Sequence, residues 1–162
     1  MSIDFPTHTL PESILDFHIM LADSKTTVTA VVKAYLGVID LQNKDVNAYL
    51  EVFAQEALTI AEDCDNQLNG KNKEEREALF RQKRLFGVPF AVKDNILFKD
   101  HKVSSASKIL EGYVSSYDAT VMIKLRDAGA ICLGRVNMDE FAMGGSTENS
   151  AYGVTHNPLN LE

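Results

Sequence analysis

The chain lacks any excess of positive charge: 16 Lys and Arg stand against 23 Asp and Glu, a formal net charge of −7. That balance argues against a chain that grips nucleic acid by itself, because such binding rests on clustered basic residues. It is compatible with membership of a complex in which another protein holds the nucleic acid. Apolar runs long enough to cross a membrane are missing. The opening residues, MSIDFPTHTLPES, have neither the basic start nor the apolar core of a signal peptide. Cysteine is scarce: Cys64 and Cys132 are the two present, and no CxxC spacing occurs. Reduced thiols in a cytoplasmic protein are therefore expected. There is no internal repeat and no low-complexity tract.

Chemical motifs are also thin. His8, His18, His101 and His156 are scattered without ligand spacing, so no metal site is expected. The Asp139-Glu140 pair reads as the start or cap of a helix rather than a cation site. MGGSTENS carries two glycines and hydroxyls, but neither GxxxxGK[ST] nor a strand-borne GxGxxG is present, so a backbone turn is the preferred reading. No GxSxG elbow offers a serine nucleophile.

What is there organises into one domain: 162 residues with 45% hydrophobic content suffice for a real core. Residues 1–85 read as mainly helical and 86–162 as the start of an α/β core. Val28, Val31, Val32, Tyr35 and Ile39 recur at helical spacing between Thr26 and Asn43, with Ser24 or Thr26 as a cap. A second helix fits Ala54 to Leu68, and a short polar turn is expected between the two. Asn69 to Arg84 is dense in both charges and reads as a solvated loop or surface helix, with contact to a partner the lesser alternative. GVPFAVKDNI then suggests a strand, and SSASKILEGY a turn entering a short helix. DATVMIKLRDAGA suggests a helix capped by Asp118 and stopped at Gly129, and AICLG a buried strand. Strand, crossover helix, strand predicts a mixed, largely parallel sheet flanked by helices, preceded by N-terminal helices.

Lys93 is the anomaly, because it interrupts an otherwise apolar strand. Either placement on an edge strand lets its stem reach solvent, or burial lowers its pKa and makes it a base. Strand position alone does not choose between them. Asp94 and Asn95 read as a strand-ending turn that satisfies neighbouring backbone.

GVPFAVKDNI, SSASKILEGY and YDATVMIKLRDAGAICLGRVNMDEFAMGGSTENSAYGVTHNP together closely resemble the amidase signature family. NMDEFAMG and STENSAYG resemble, within it, the A subunits of bacterial aspartyl/glutamyl-tRNA amidotransferases. The resemblance is strong from Gly87 to Glu162. It implies a serine nucleophile, a second serine on a cis peptide bond, and a lysine that takes the proton through that serine. The lysine role falls on Lys93. Met143, Gly144 and Gly145 fall where the family's loop passes the substrate pocket, although the glycines also suit a simple turn.

The resemblance further implies a glutaminase that passes ammonia to a partner. In such complexes, subunits B and C accompany the glutaminase, and the tRNA is held mainly by a partner. That partner uses ATP and magnesium to convert Glu-tRNA(Gln) or Asp-tRNA(Asn); no cofactor falls on this chain. The family's glycine- and serine-rich segment with both catalytic serines is expected after HNPLNLE. On this reading residues 1–162 are the N-terminal portion of a longer amidase domain, inactive alone. Another amidase-signature hydrolase of small amides and a non-catalytic partner-binding module are the alternatives. Where the family commonly has Gly-Lys-Thr or Gly-Lys-Leu before NMDEF, this chain has Gly134-Arg135-Val136, and Arg135 is expected to have a surface or packing role.

Overall fold

The computed structural model describes residues 10–161, so His8 and Glu162, and the opening residues of the N-terminal stretch, lie outside it. Helix α1, Ile14–Ala22, starts where the Ser13 hydroxyl accepts the Asp16 N–H. Helix α2, Val28–Val46, is capped by Thr27 rather than Ser24 or Thr26. Thr27 is extended and accepts the Ala30 N–H, while the next two orphan N–H groups, of Val28 and Thr29, donate to Asp65 at 2.7 and 3.0 Å. Asp65 lies on α3, Ala54–Leu68, so one carboxylate both caps α2 and fixes the packing of the two helices.

The expected polar turn between α2 and α3 contains a strand instead. Asn47 ends α2 in the left-handed region, and Asn43 then brackets Tyr49 through both backbone groups, at 2.7 and 2.8 Å. Those bonds start β1, Tyr49–Val52. The charged Asn69–Arg84 segment forms α4, Lys73–Gln82, opened by a reciprocal Asn72/Glu75 capping box. Arg76 in it is used within the chain: its guanidinium donates to the carbonyls of Leu21, Leu68 and Lys71.

Strand β2, Pro89–Lys93, and β3, Ile131–Val136, pair in parallel through the crossover helix α5, Thr120–Asp127. Gly129 stops α5 at φ +90°, and a Cβ there would stand 2.9 Å from the Phe86 backbone. Asp118 is not the cap. Ala119 takes that position without a side-chain bond, and Asp118 instead accepts the Lys99 N–H and pairs with Arg126. The KIL turn is a single 3-10 turn, Lys108–Leu110, rather than a longer helix.

The sheet order is β1-β3-β2, with β1 antiparallel to β3. One face of β3 sends Ile131 and Leu133 into the main core with Phe17, Leu21, Val31, Val32, Ala57 and Phe86. Its other face sends Cys132 to a smaller cluster with Phe53, Val92 and Met122. Helices thus cover both faces of an α/β sheet, as the crossover pattern predicts.

Candidate active site

Lys93 ends β2, and β2 is an edge strand in this sheet. Its side chain is exposed, so the buried amine foreseen as one option is not found within this chain. The reason is topological: among the described residues β2 pairs only with β3, and no element lies beside Lys93 to desolvate it. Nor does the Lys93 side-chain amine form a hydrogen bond or ion pair with any described residue.

Its neighbour is the opposite case. Asp94 is fully buried and its carboxylate accepts the Ser104 N–H at 3.0 Å, the Ser104 hydroxyl at 2.5 Å and the Ala106 N–H at 2.7 Å. The Arg135 guanidinium adds a fourth bond at 2.5 Å. Main-chain bonds reinforce this anchor, since Asp94 donates to the Val136 carbonyl and accepts from the Ser105 N–H. The backbone role expected for Asp94 is what the structure contains. Ser105 and Ala106 both sit at φ 51°, a left-handed pair that curls the loop so that its N–H groups converge on one carboxylate.

Of the surface or packing role expected of Arg135, the surface half is overturned: the side chain is buried in an ion pair. It is 7% exposed, and besides Asp94 it reaches Glu51 of β1 at 3.5 Å. A buried carboxylate needs a compensating charge, and Arg135 supplies it from the adjacent strand. No local signal in the sequence marks this pair, because its partners lie 41 residues apart and Asp94 falls just beyond the end of β2.

The loop after β3 is folded around two side chains. Asn137 donates to the Gly153 carbonyl at 2.8 Å and accepts the Ser150 hydroxyl at 2.6 Å. Asp139 accepts the N–H groups of Ser146, Thr147 and Asn149 at 2.9, 2.9 and 3.0 Å. Those bonds, the Asn149 N–H foremost, hold its carboxyl below the ordinary carboxylate value. Asp139 stands ahead of the 3-10 turn Glu140–Ala142 but makes no side-chain cap bond to it. The Asp139-Glu140 pair does stand at the start of a helical turn, as foreseen, while the Asp139 carboxylate anchors the following loop instead of capping that turn. Three amides of GGSTENS, those of Ser146, Thr147 and Asn149, are therefore already engaged by an internal carboxylate, which agrees with a turn rather than a phosphate cradle.

Two further ties join this loop to the Asp94 loop. The Ser107 hydroxyl donates to Glu140 at 2.5 Å, and the Phe141 N–H donates to the Ser105 carbonyl at 2.9 Å. Lys93 pairs in register with Val136, the residue from which the second loop departs. Lys93 and the Met143-Gly144-Gly145 segment thus share the C-terminal end of the parallel pair, where open α/β sheets present ligand sites. Met143 is 79% exposed, and Gly144 and Gly145 are exposed as well. Gly144 is required by close approach, because a Cβ there would stand 2.5 Å from the Asp139 carboxyl carbon. Gly145 faces open space.

Among the described residues no group of three His, Cys, Asp or Glu side chains could hold a metal ion, and no helix is long and apolar enough to cross a membrane. Cys64 and Cys132 are both free and buried. The Ser104 and Ser107 hydroxyls are committed to carboxylates.

The Amidase family model matches residues 30–162. The A subunit of glutamyl-tRNA(Gln) amidotransferase from Corynebacterium glutamicum (strain R) is 46% identical over 143 residues, 88% of this chain and 27% of that protein. Its namesake in Corynebacterium jeikeium (strain K411) is 44% identical over 159 residues, 98% of this chain and 30% of that protein. The chain therefore spans under a third of the length of these relatives. Among solved structures, peptide amidase from Stenotrophomonas maltophilia superposes with a TM-score of 0.76 at 28% identity, covering 98% of this chain and 32% of that one. A chain from a vestigial complex related to an s-triazine catabolic enzyme gives 0.79 at 28% identity, covering 92% and 31%. With the family model matched across residues 30–162, this chain belongs to the amidase signature family.

Proposed function

We propose that this chain is part of the glutaminase component of a tRNA-dependent amidotransferase and that Lys93 is its proton-relay base. Amide hydrolysis needs a hydroxyl that loses its proton as it attacks and an amine that gains one as it leaves. In the proposed reaction a serine oxygen of the full-length protein adds to the side-chain amide carbon of glutamine. Its proton passes through a second serine to the Lys93 amine. The C–N bond then breaks, the proton is returned to the departing nitrogen, and ammonia leaves an acyl-enzyme that water converts to glutamate. Met143, Gly144 and Gly145 form part of the pocket wall.

The observation that carries this reading is the contrast between neighbours at the end of β2. Asp94 is saturated by four donors, whereas the Lys93 amine has no partner among the described residues and stands at the same rigid strand end. An unpaired amine beside a fixed loop is suited to exchange protons with a group brought to it. The 44–46% identity to amidotransferase A subunits favours glutamine over other amides. On the same reading the partners are subunits B and C, with tRNA, ATP and magnesium handled by the partner side. The setting is the cytoplasm. The 162-residue chain alone releases no ammonia from glutamine.

The test is made on the full-length protein in its complex. Lys93→Ala is expected to lower ammonia release from glutamine by about 10²–10⁴-fold, the usual range for a lost acid–base group. Transamidation supplied with free ammonia should stay near wild type. Loss of both activities would reassign Lys93 to a structural role.

A further inference from the structure

We infer that Arg135 is a positioning residue for amide hydrolysis, acting through Asp94 on Lys93 and the loop that follows it. This rests on the reading of Lys93 given above. Arg135 stands on the central strand β3, its Cα paired with Val92, one residue before Lys93. Its Nη1 holds the Asp94 carboxylate and its Nη2 reaches Glu51, so one guanidinium links the ends of all three strands. The Nε of Arg135 is buried and has no partner among the described residues, so the terminal nitrogens carry this arrangement.

Two consequences follow for Lys93. First, Arg135 satisfies the charge of Asp94, so that carboxylate is free to gather the Ser104 and Ala106 amides instead of folding back on the neighbouring ammonium. Second, the same carboxylate fixes the loop that carries Ser105 and Ser107, and through them the Phe141 and Glu140 side of the second loop. Arg135 is too deeply buried to touch substrate from this position. Its effect is on where the amine and the loops stand, and a displacement of about an ångström at a reacting group can lower turnover about 100-fold.

The experiment compares Arg135→Met, Arg135→Lys and the charge-neutral double variant Asp94→Asn/Arg135→Met in the full-length enzyme complex, with Lys93→Ala alongside. For Arg135→Met the glutaminase kcat is expected to fall about 100-fold while KM for glutamine stays within about twofold, because the group acts in turnover and not in ground-state binding. Arg135→Lys keeps a cation that can reach Asp94, and recovers kcat to within about tenfold of wild type. The double variant removes both charges together, which protects folding, and is expected to show the same kcat loss. Ammonia-dependent transamidation should be unchanged in all three. Parallel loss of both activities, a rise in KM at constant kcat, or wild-type turnover in the double variant would overturn the inference. If Lys93→Ala abolishes glutaminase activity while Arg135→Met leaves it intact, only this inference falls. If Lys93→Ala leaves activity intact, the reading of Lys93 falls with it.

Discussion

Removing the Asp94 carboxylate should destabilise this chain more than any exposed substitution. In Asp94→Ala the Ser104 and Ala106 amides and the Ser104 hydroxyl lose their acceptor, and Arg135 is left buried beside Glu51 alone. Breaking a buried pair by deleting one partner costs about 3–5 kcal/mol. The Glu51 side chain is 36% exposed and only 3.5 Å from Arg135, so it retains part of the compensation and sets the expectation at the lower end. About 3 kcal/mol corresponds to a fall in Tm of roughly 6–12 °C for a chain of this size. Thermal and urea unfolding followed by circular dichroism would read it, with the urea slope unchanged if only stability has moved. The sharper measurement is a double-mutant cycle with Arg135→Met. Two residues in one buried pair should couple by about 1.5–3 kcal/mol, so the double variant should be much less destabilised than the sum of the singles. A coupling under about 0.5 kcal/mol, or an Asp94→Ala transition within about 2 °C of wild type, would refute the compensation argument.

Three further outcomes are expected. Burial pushes both the Cys64 and Cys132 thiols up to about 11, so neither should react with a thiol-specific disulfide reagent at pH 8 until the chain is unfolded; rapid labelling of the folded protein would contradict this. His18 lies against Phe80 and its Nε2 is 3.1 Å from the Phe86 carbonyl; desolvation holds its pKa below 6.5, the Phe86 bond opposing. The unfolded chain then binds the extra proton first, so this contribution is present above pH 6.5 and is lost as pH falls through the lowered folded value. His18→Gln should flatten the decline in urea midpoint from pH 7.5 to 5.5, and an unchanged slope would sink the assignment. Gly144→Ala should loosen the Ser146, Thr147 and Asn149 amides, read as faster hydrogen exchange, whereas Gly145→Ala should not, because only the former drives a Cβ into Asp139.

The parts of this fold that local pattern reveals are those whose causes are local. Gly87 and Pro89 announce β2, Gly129 stops α5, and the apolar run of β3 needs no partner to be recognised. The Asn72-Glu75 capping box was equally legible and turns an ambiguous charged segment into α4. β1 was not, because Tyr49-Leu50-Glu51-Val52 is short and no residue of it is fully buried. It exists through pairing with β3, with Glu51 and Arg135 lying 84 residues apart. The site divides in the same way. Lys93 stands out in an apolar strand, but its exposure depends on which strand borders it. Asp94 and Arg135 find each other across 41 residues, a meeting that charge and spacing do not specify. Asp139 reads as a helix start because an acidic residue before a turn usually is one, yet its loop curls back and supplies the amides itself.

The placement of β1 has a consequence for how the chain acquires its structure. The helical hairpin of α2 and α3 can close as soon as Asp65 emerges to cap α2, since those contacts are near in sequence. β1 lies inside that hairpin and has no strand to join until β3 has been made. During synthesis it is therefore an unclaimed edge, held ready by Asn43 while about seventy or more further residues emerge at roughly 5–20 residues per second. For those seconds the half-built protein displays an open strand beside a formed helix pair, a window in which a chaperone, or a wrong strand, can reach it first.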